Sequence, residues 1–383
     1  MDDRWSGAAG TAGTGGQGAQ GVPGQAPGSP YDPGPAPGNA PGYGYGAPGF
    51  GAPGFAPPPE PEPDGRAARR HLGAYVTSGV LLLVFACALA AWITDTLINV
   101  GIDTDALLEG LVKNDPRLML PGFTAYEWAF AVALLVVGVA ALTRRRTARG
   151  AALLLAFLLL GVGARQINGL TRTDYSDVMF NSEHGTLIVL TYVFAFLAAA
   201  TVITLLLTAR EHEVPREPLT GGRRAAGILL ILIGLVQGFW YARTLREFSE
   251  VVGPDDGRGA FSEWWHEALN INARGGYGAS AGFVYYHSAV VAAFLVVGVL
   301  LLRSAPAARG AALALLGISA YIQLRDLAGI DYGMLPDYYK DSVTGWSITS
   351  AFAVAAATLV AITLTRRTPR RHVPPPYPTA PLP

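Results

Sequence analysis

The sequence predicts an all-helical polytopic membrane protein, and three observations lead there. From Leu72 onward the chain is a series of apolar runs, and 51% of its residues are hydrophobic. A helix needs about 20 apolar residues to cross the hydrocarbon core of a bilayer. Eight segments approach that length: 72–96, 124–143, 149–169, 186–209, 223–243, 283–303, 308–328 and 344–365. Finally, residues 126–185 reappear without a gap at residues 286–345, with 21 of the 60 positions identical. Leu135-Val136-Val137-Gly138-Val139 returns as Leu295-Val296-Val297-Gly298-Val299, and Ala148 to Leu153 returns as Ala308 to Leu313.

Spans one and five also align, through Trp92, Thr96 and Leu97 against Trp240, Thr244 and Leu245. The expected architecture is therefore eight transmembrane helices as two tandem four-helix repeats. An even number of helices per repeat gives both halves the same orientation, related by an axis along the membrane normal. The implied units are a Gly/Pro/Ala-rich tail over 1–66, a first repeat over 67–210 and a linker over 211–221. A second repeat over 222–367 and a Pro-rich tail over 368–383 complete the chain.

The N-terminal 65 residues carry almost no Leu, Ile or Val, too little apolar surface to offset the entropy of ordering a backbone, so disorder is expected there. Gly46-Ala47-Pro48-Gly49-Phe50 recurs as Gly51-Ala52-Pro53-Gly54-Phe55, a low-complexity pattern suited to a solvated spacer or a weak partner contact. The scarcity of lysine (Lys113 and Lys340 only) beside abundant Arg, Ala and Gly resembles the style of a bacterial genome rich in G and C.

Arginine placement sets the expected orientation. Arg66, Arg69 and Arg70 precede the first span, Arg144, Arg145, Arg146 and Arg149 fill the second connection, and Arg210, Arg216, Arg223 and Arg224 lie in the fourth. Arg303 and Arg309 occupy the sixth, and Arg366, Arg367, Arg370 and Arg371 follow the last span. Carboxylates gather in the alternate connections, among them Asp103, Asp105, Glu109, Asp255, Asp256 and Glu263. Both termini are expected in the cytoplasm of a bacterium, with the chain in the cytoplasmic membrane.

Charges near the outer helix ends form the first candidate site. Fifteen uncharged residues separate Arg149 from Arg165, and fifteen separate Arg309 from Arg325. At 1.5 Å per residue such a run covers only roughly 22 Å, which places both arginines below the outer interface. Glu127 and its repeat partner His287, and the matched pair Asp95 and Arg243, stand at similar depth. Glu127 is the expected counter-ion of Arg165. Arg165, Arg325, Glu127, His287, Asp95 and Arg243 together form either a polar ligand cluster or a set of structural pairs and snorkelling arginines.

The outer loops supply the second candidate surface. Residues 106–112 read as a short amphipathic helix in the first outer loop, and Phe261 to Leu269 is helix-compatible in the third. Trp264 and Trp265 suit an anchor at headgroup level. Tyr175 and Asp177 in one loop, and Tyr332, Asp337, Tyr338 and Tyr339 in another, read as an aromatic and acidic outer surface. Asp103 and Asp105 recreate the Asp-x-Asp pattern of polyprenyl-dependent glycosyltransferases weakly, and helix capping by Asp105 explains it more simply.

No catalytic set, cofactor motif or metal-ligand spacing is present, and the single cysteine, Cys87, excludes an internal disulfide. No basic block points to nucleic acid. The expected partners are the lipid bilayer and proteins reached through the tail or outer loops. The leading expectation is a non-enzymatic envelope protein. A permease or lipid-handling protein with a polar site between the repeats comes second, and a glycosyltransferase-like enzyme third.

Overall fold

The computed structural model describes residues 66–100, 104–113, 125–171, 173–181, 184–209, 220–252, 283–329 and 342–365. All belong to the compact unit Pro61–Pro383. After a short 3-10 turn, Arg69–His71, come α1 (Leu72–Val100), α2 (Thr104–Val112), α3 (Ala125–Leu142), α4 (Arg146–Gly169) and α5 (Thr173–Asn181). Then follow α6 (Gly185–Thr208), α7 (Gly221–Val252), α8 (Phe283–Leu302), α9 (Ala308–Ala328) and α10 (Ser342–Thr365). The described residues contain no strand.

The chain is a multi-pass membrane protein. Among the described residues six helices are long and apolar enough to cross a membrane, and the apolar stretches Glu127–Leu142 of α3 and Ser288–Leu302 of α8 are shorter. Several ends differ from the expected spans. The sequence closes span five at Arg243, yet α7 continues to Val252. A charge ends a lipid-embedded run; it does not end a helix. The loop containing Tyr175, read as solvated surface, is the helix α5 with Tyr175 and Met179 buried against Leu170, Ile188 and Val189. The tails 1–65 and 366–383 and residues 253–282 of the third connecting loop lie outside the described residues.

Equivalent contacts recur at the sequence offsets noted above. A Cβ added to Gly79 of α1 would stand 2.9 Å from the Gly138 carbonyl oxygen of α3, and one on Gly227 of α7 would stand 3.0 Å from that of Gly298 on α8. Only glycine lets these backbones approach so closely, and in lipid such dispersion contact drives helix association. The α3–α4 and α8–α9 turns also match. Arg144 and Ser304, 160 positions apart, hold φ of 56° and 54°. At each turn this residue's amide bonds three residues back, and the next amide bonds five residues back, at distances of 2.8–3.1 Å. That is the left-handed helix terminus usually assigned to glycine.

The two halves meet along α4 and α9. A Cβ on Gly150 would overlap the Ala307 carbonyl oxygen, and one on Gly310 would overlap that of Thr147. Positions 147 and 307 are themselves matched, so the contact is reciprocal. Further along α9, Ile318 and Ile322 enter the apolar core of the first half, beside Leu155, Leu159 and Ala199. The core of the second half is built on Leu230, Ile233, Phe294, Leu315 and Val360. Several arginines used above to read topology also satisfy carbonyls: Arg149 Nε donates to Leu206 O at 2.9 Å, near the C-terminus of α6.

Candidate functional site

Four helices bring polar side chains together at one end of the first half. Glu127 comes from the first turn of α3, Arg165 and Gln166 from the end of α4, Tyr175 from α5 and Tyr192 from α6. Their relative exposures are 1%, 9%, 5%, 3% and 6%, so the group is enclosed by protein. The local chain path explains the convergence. After Gly169 the backbone turns, with Leu170 N bonded to Gln166 O and Thr171 N to Asn168 O. Helix α5 then folds back, placing Tyr175 and Met179, one turn apart, on its inner face.

The Tyr175 hydroxyl donates to Gln166 Oε1. Gln166 also interacts with the Tyr192 hydroxyl, and Glu127, Tyr175 and Arg165 all lie within its electrostatic reach. Burial pushes the Tyr175 phenol up from 10 to about 12, and the Arg165 guanidinium acts in the opposite direction. The arrangement offers one cation, one carboxyl group, one amide and two phenols, all buried. It can accept and donate hydrogen bonds in a setting from which bulk water is largely excluded.

Arg325, at the matched position of the second half, reaches the end of α2. Its Nε donates to Gly110 O at 2.7 Å, and Tyr321, one turn earlier on α9, donates its hydroxyl to Leu111 O at 2.9 Å. Both carbonyls belong to the last turn of α2, where a helix has no intrahelical donors left for them. An arginine there also meets the negative end of the helix dipole. On the solvent side, Lys113 and Glu109 form an exposed ion pair at 3.0 Å, of the kind that contributes little.

The remaining expected site residues lie apart from these groups or outside the description. Asp95 is half-buried near the end of α1. Arg243 is exposed and lies over the ring of Trp240 on its own helix, 5.3 Å from the centroid. Asp105 stands exposed in the first turn of α2, where a carboxylate meets the positive end of the helix dipole. His287 is on α8 with its side chain undescribed, and Asp103, Trp264 and Trp265 lie outside the described residues. Of the six charged candidates, Glu127 and Arg165 are brought together in the polar group described above.

Sequence reasoning missed Gln166, Tyr192 and Tyr321, because it followed formal charges. Tyr321 had a signal, since it stands four residues before Arg325 on the same helix face. Gln166, next to Arg165, had one of the same kind. No three His, Cys, Asp or Glu residues gather to hold a metal ion among the described residues. No family model matches the chain, and neither does any curated protein or solved structure.

Proposed function

We propose that this chain is a non-enzymatic bacterial envelope protein that acts through its outer face. In this reading it has eight spans in two tandem four-helix repeats, with both termini in the cytoplasm. The recurring glycine contacts, the paired left-handed turns and the reciprocal Gly150 and Gly310 packing support the repeat. The arginine distribution supports the orientation.

The observation that carries the functional reading is the attachment of α2 to α9 through Arg325 and Tyr321. It ties the first outer loop of one half to a membrane helix of the other, so the outer face offers a held surface. Asp105, Leu108, Glu109 and Val112 are exposed on α2 and present mixed apolar and acidic chemistry to a protein partner. The Pro- and Gly-rich tail is the second proposed contact region.

A photoreactive amino acid at Leu108 or Val112 tests this in cells. The expected result is a discrete protein adduct that disappears when Arg325→Gln is added. Adducts to lipid alone, at these positions and at the lipid-exposed Val136, would count against an outer-face partner.

A polar pathway between the repeats is the second reading. The α4–α9 seam is backbone on backbone at Gly150 and Gly310 and apolar at Ile318 and Ile322, which favours polar sites within each half. The glycosyltransferase-like reading asks for a cleft around Asp103 and Asp105, and the exposure of Asp105 gives it no support.

A further inference from the structure

Two stretches of chain bring arginines together where α1 begins and α3 ends. Arg66, Arg69 and Arg70 precede α1, and Arg144, Arg145 and Arg146 carry the chain from α3 into α4. The backbone joins the two stretches. Ala67 N donates to Arg144 O at 2.7 Å, and Arg66 pairs with Arg145 in an isolated antiparallel bridge. Ala67 is fully buried, and Arg144 Nη1 donates to Ala67 O at 3.4 Å, so the segment before α1 is pinned to the turn.

Because the hydrogen bond joins residues 67 and 144, Arg66 and Arg145 face each other in the non-hydrogen-bonded register, where opposed side chains stand closest. Both residues are exposed. Like charges directly opposite each other repel. Residues 66–94 and 128–173 contain no Asp or Glu, so the carboxylates of α1 and α3 lie toward their opposite ends and α4 has none. The turn itself does not require the arginines. Ser304 holds the same left-handed backbone 160 positions on, in a turn that reads Ser304-Ala305-Pro306 where the first reads Arg144-Arg145-Arg146.

We propose that Arg66 and Arg145 together bind the phosphate of an anionic phospholipid at the membrane surface. A phosphate between two guanidinium groups accepts paired, charge-assisted hydrogen bonds and removes their mutual repulsion. The position suits a lipid. Arg66 stands just before the apolar span Arg69–Asp95, and Arg145 directly before the span Arg146–Gly169, which puts both at head-group level. Leu72 and Leu142, near the arginines on α1 and α3, are 47% and 37% exposed and give acyl chains an apolar surface. A free phosphate would use the charges and leave that surface uncovered. The site does not depend on which side of the bilayer this end faces.

Native mass spectrometry of the full chain, equilibrated in detergent with equal amounts of phosphatidylglycerol and phosphatidylcholine, reads the preference. The parent is expected to retain phosphatidylglycerol over phosphatidylcholine by roughly ten- to thirtyfold, the effect of two arginines at a charged lipid. Arg66→Gln/Arg145→Gln is expected to lose most of that preference. Arg224→Gln/Arg303→Gln, which removes two exposed arginines from α7 and the end of α8, is expected to keep it. Equal losses in the two double variants would reduce the effect to general surface charge and overturn the proposal, as would a parent without preference. Displacement of phosphatidylglycerol by equimolar inorganic phosphate would identify a free anion and overturn the lipid assignment. Should Arg66→Gln/Arg145→Gln not fold, diazirine-bearing analogues of the two lipids decide the matter on the parent. Stronger labelling of Leu72 and Leu142 by the phosphatidylglycerol analogue supports the site, and equal labelling by both overturns it.

Discussion

Arg325 Nε lies 2.7 Å from the carbonyl oxygen of Gly110, so the membrane helix α9 grips the end of the short helix α2. The matched Arg165 instead lies buried in a group with Gln166 and Tyr192.

Replacing Arg325 with Gln removes a charged hydrogen bond to a helix terminus, an interaction of about 1.5–3 kcal/mol. Amide hydrogen exchange in α2 is expected to accelerate roughly ten- to hundredfold. Tyr321→Phe has a smaller effect of the same kind. Arg165→Gln leaves α2 exchange unchanged, and acceleration there would detach the result from the observed contact.

The seam between α4 and α9 responds to a single methyl group. Gly310→Ala places a Cβ against the Thr147 carbonyl oxygen, whereas Gly317 on the same helix has open space around it. The expected cost of Gly310→Ala is about 1–3 kcal/mol, the usual range for overpacking. Gly317→Ala is expected to be neutral or slightly stabilising, because alanine favours the helix. Unfolding of the two variants in a denaturing detergent titration makes the comparison.

At the start of α10, Gly345 lies against the Trp240 ring, which a Cβ there would overlap. Gly345→Ala is expected to destabilise the second half. Combining it with Trp240→Leu restores part of the loss, and a double-mutant cycle reads the coupling. Strict additivity of the two changes would place the damage elsewhere.

Tyr175 makes stability fall at high pH. Its folded pKa is raised to about 12 against 10 for an ordinary phenol, because burial disfavours the phenolate. Between those values the unfolded chain has lost more protons than the folded one, so stability declines as pH rises. The contribution is fully present below about pH 10 and is gone above about pH 12, a change of roughly 2–3 kcal/mol. Tyr175→Phe is expected to flatten that part of the pH profile and to remove a late step from the ultraviolet phenolate titration.

Much of the scaffold can be read from residue order. A run such as Leu295 to Leu302 has no stable place in water, and a helix is the structure that satisfies its backbone in lipid. The repeated Gly138 and Gly298 point to matched close contacts before any coordinate is known. The placement of α2 was partly legible, since its apolar residues follow a helical period. The role of Tyr175 was not, because an aromatic residue in a short polar loop has no periodic signature of burial.

By itself the sequence determined the all-helical membrane class and the recurrence of matching residues 160 positions apart, since these depend on hydrophobic length and on order along the chain. Only the tertiary structure decided which matched residues meet. Arg165 and Arg325 are indistinguishable by span and spacing; among the described residues the fold puts Arg165 with Gln166 and Tyr192, and Arg325 against the last turn of α2. Such side-chain meetings depend on how separate helices are rotated and packed, and no local pattern along a single helix encodes that.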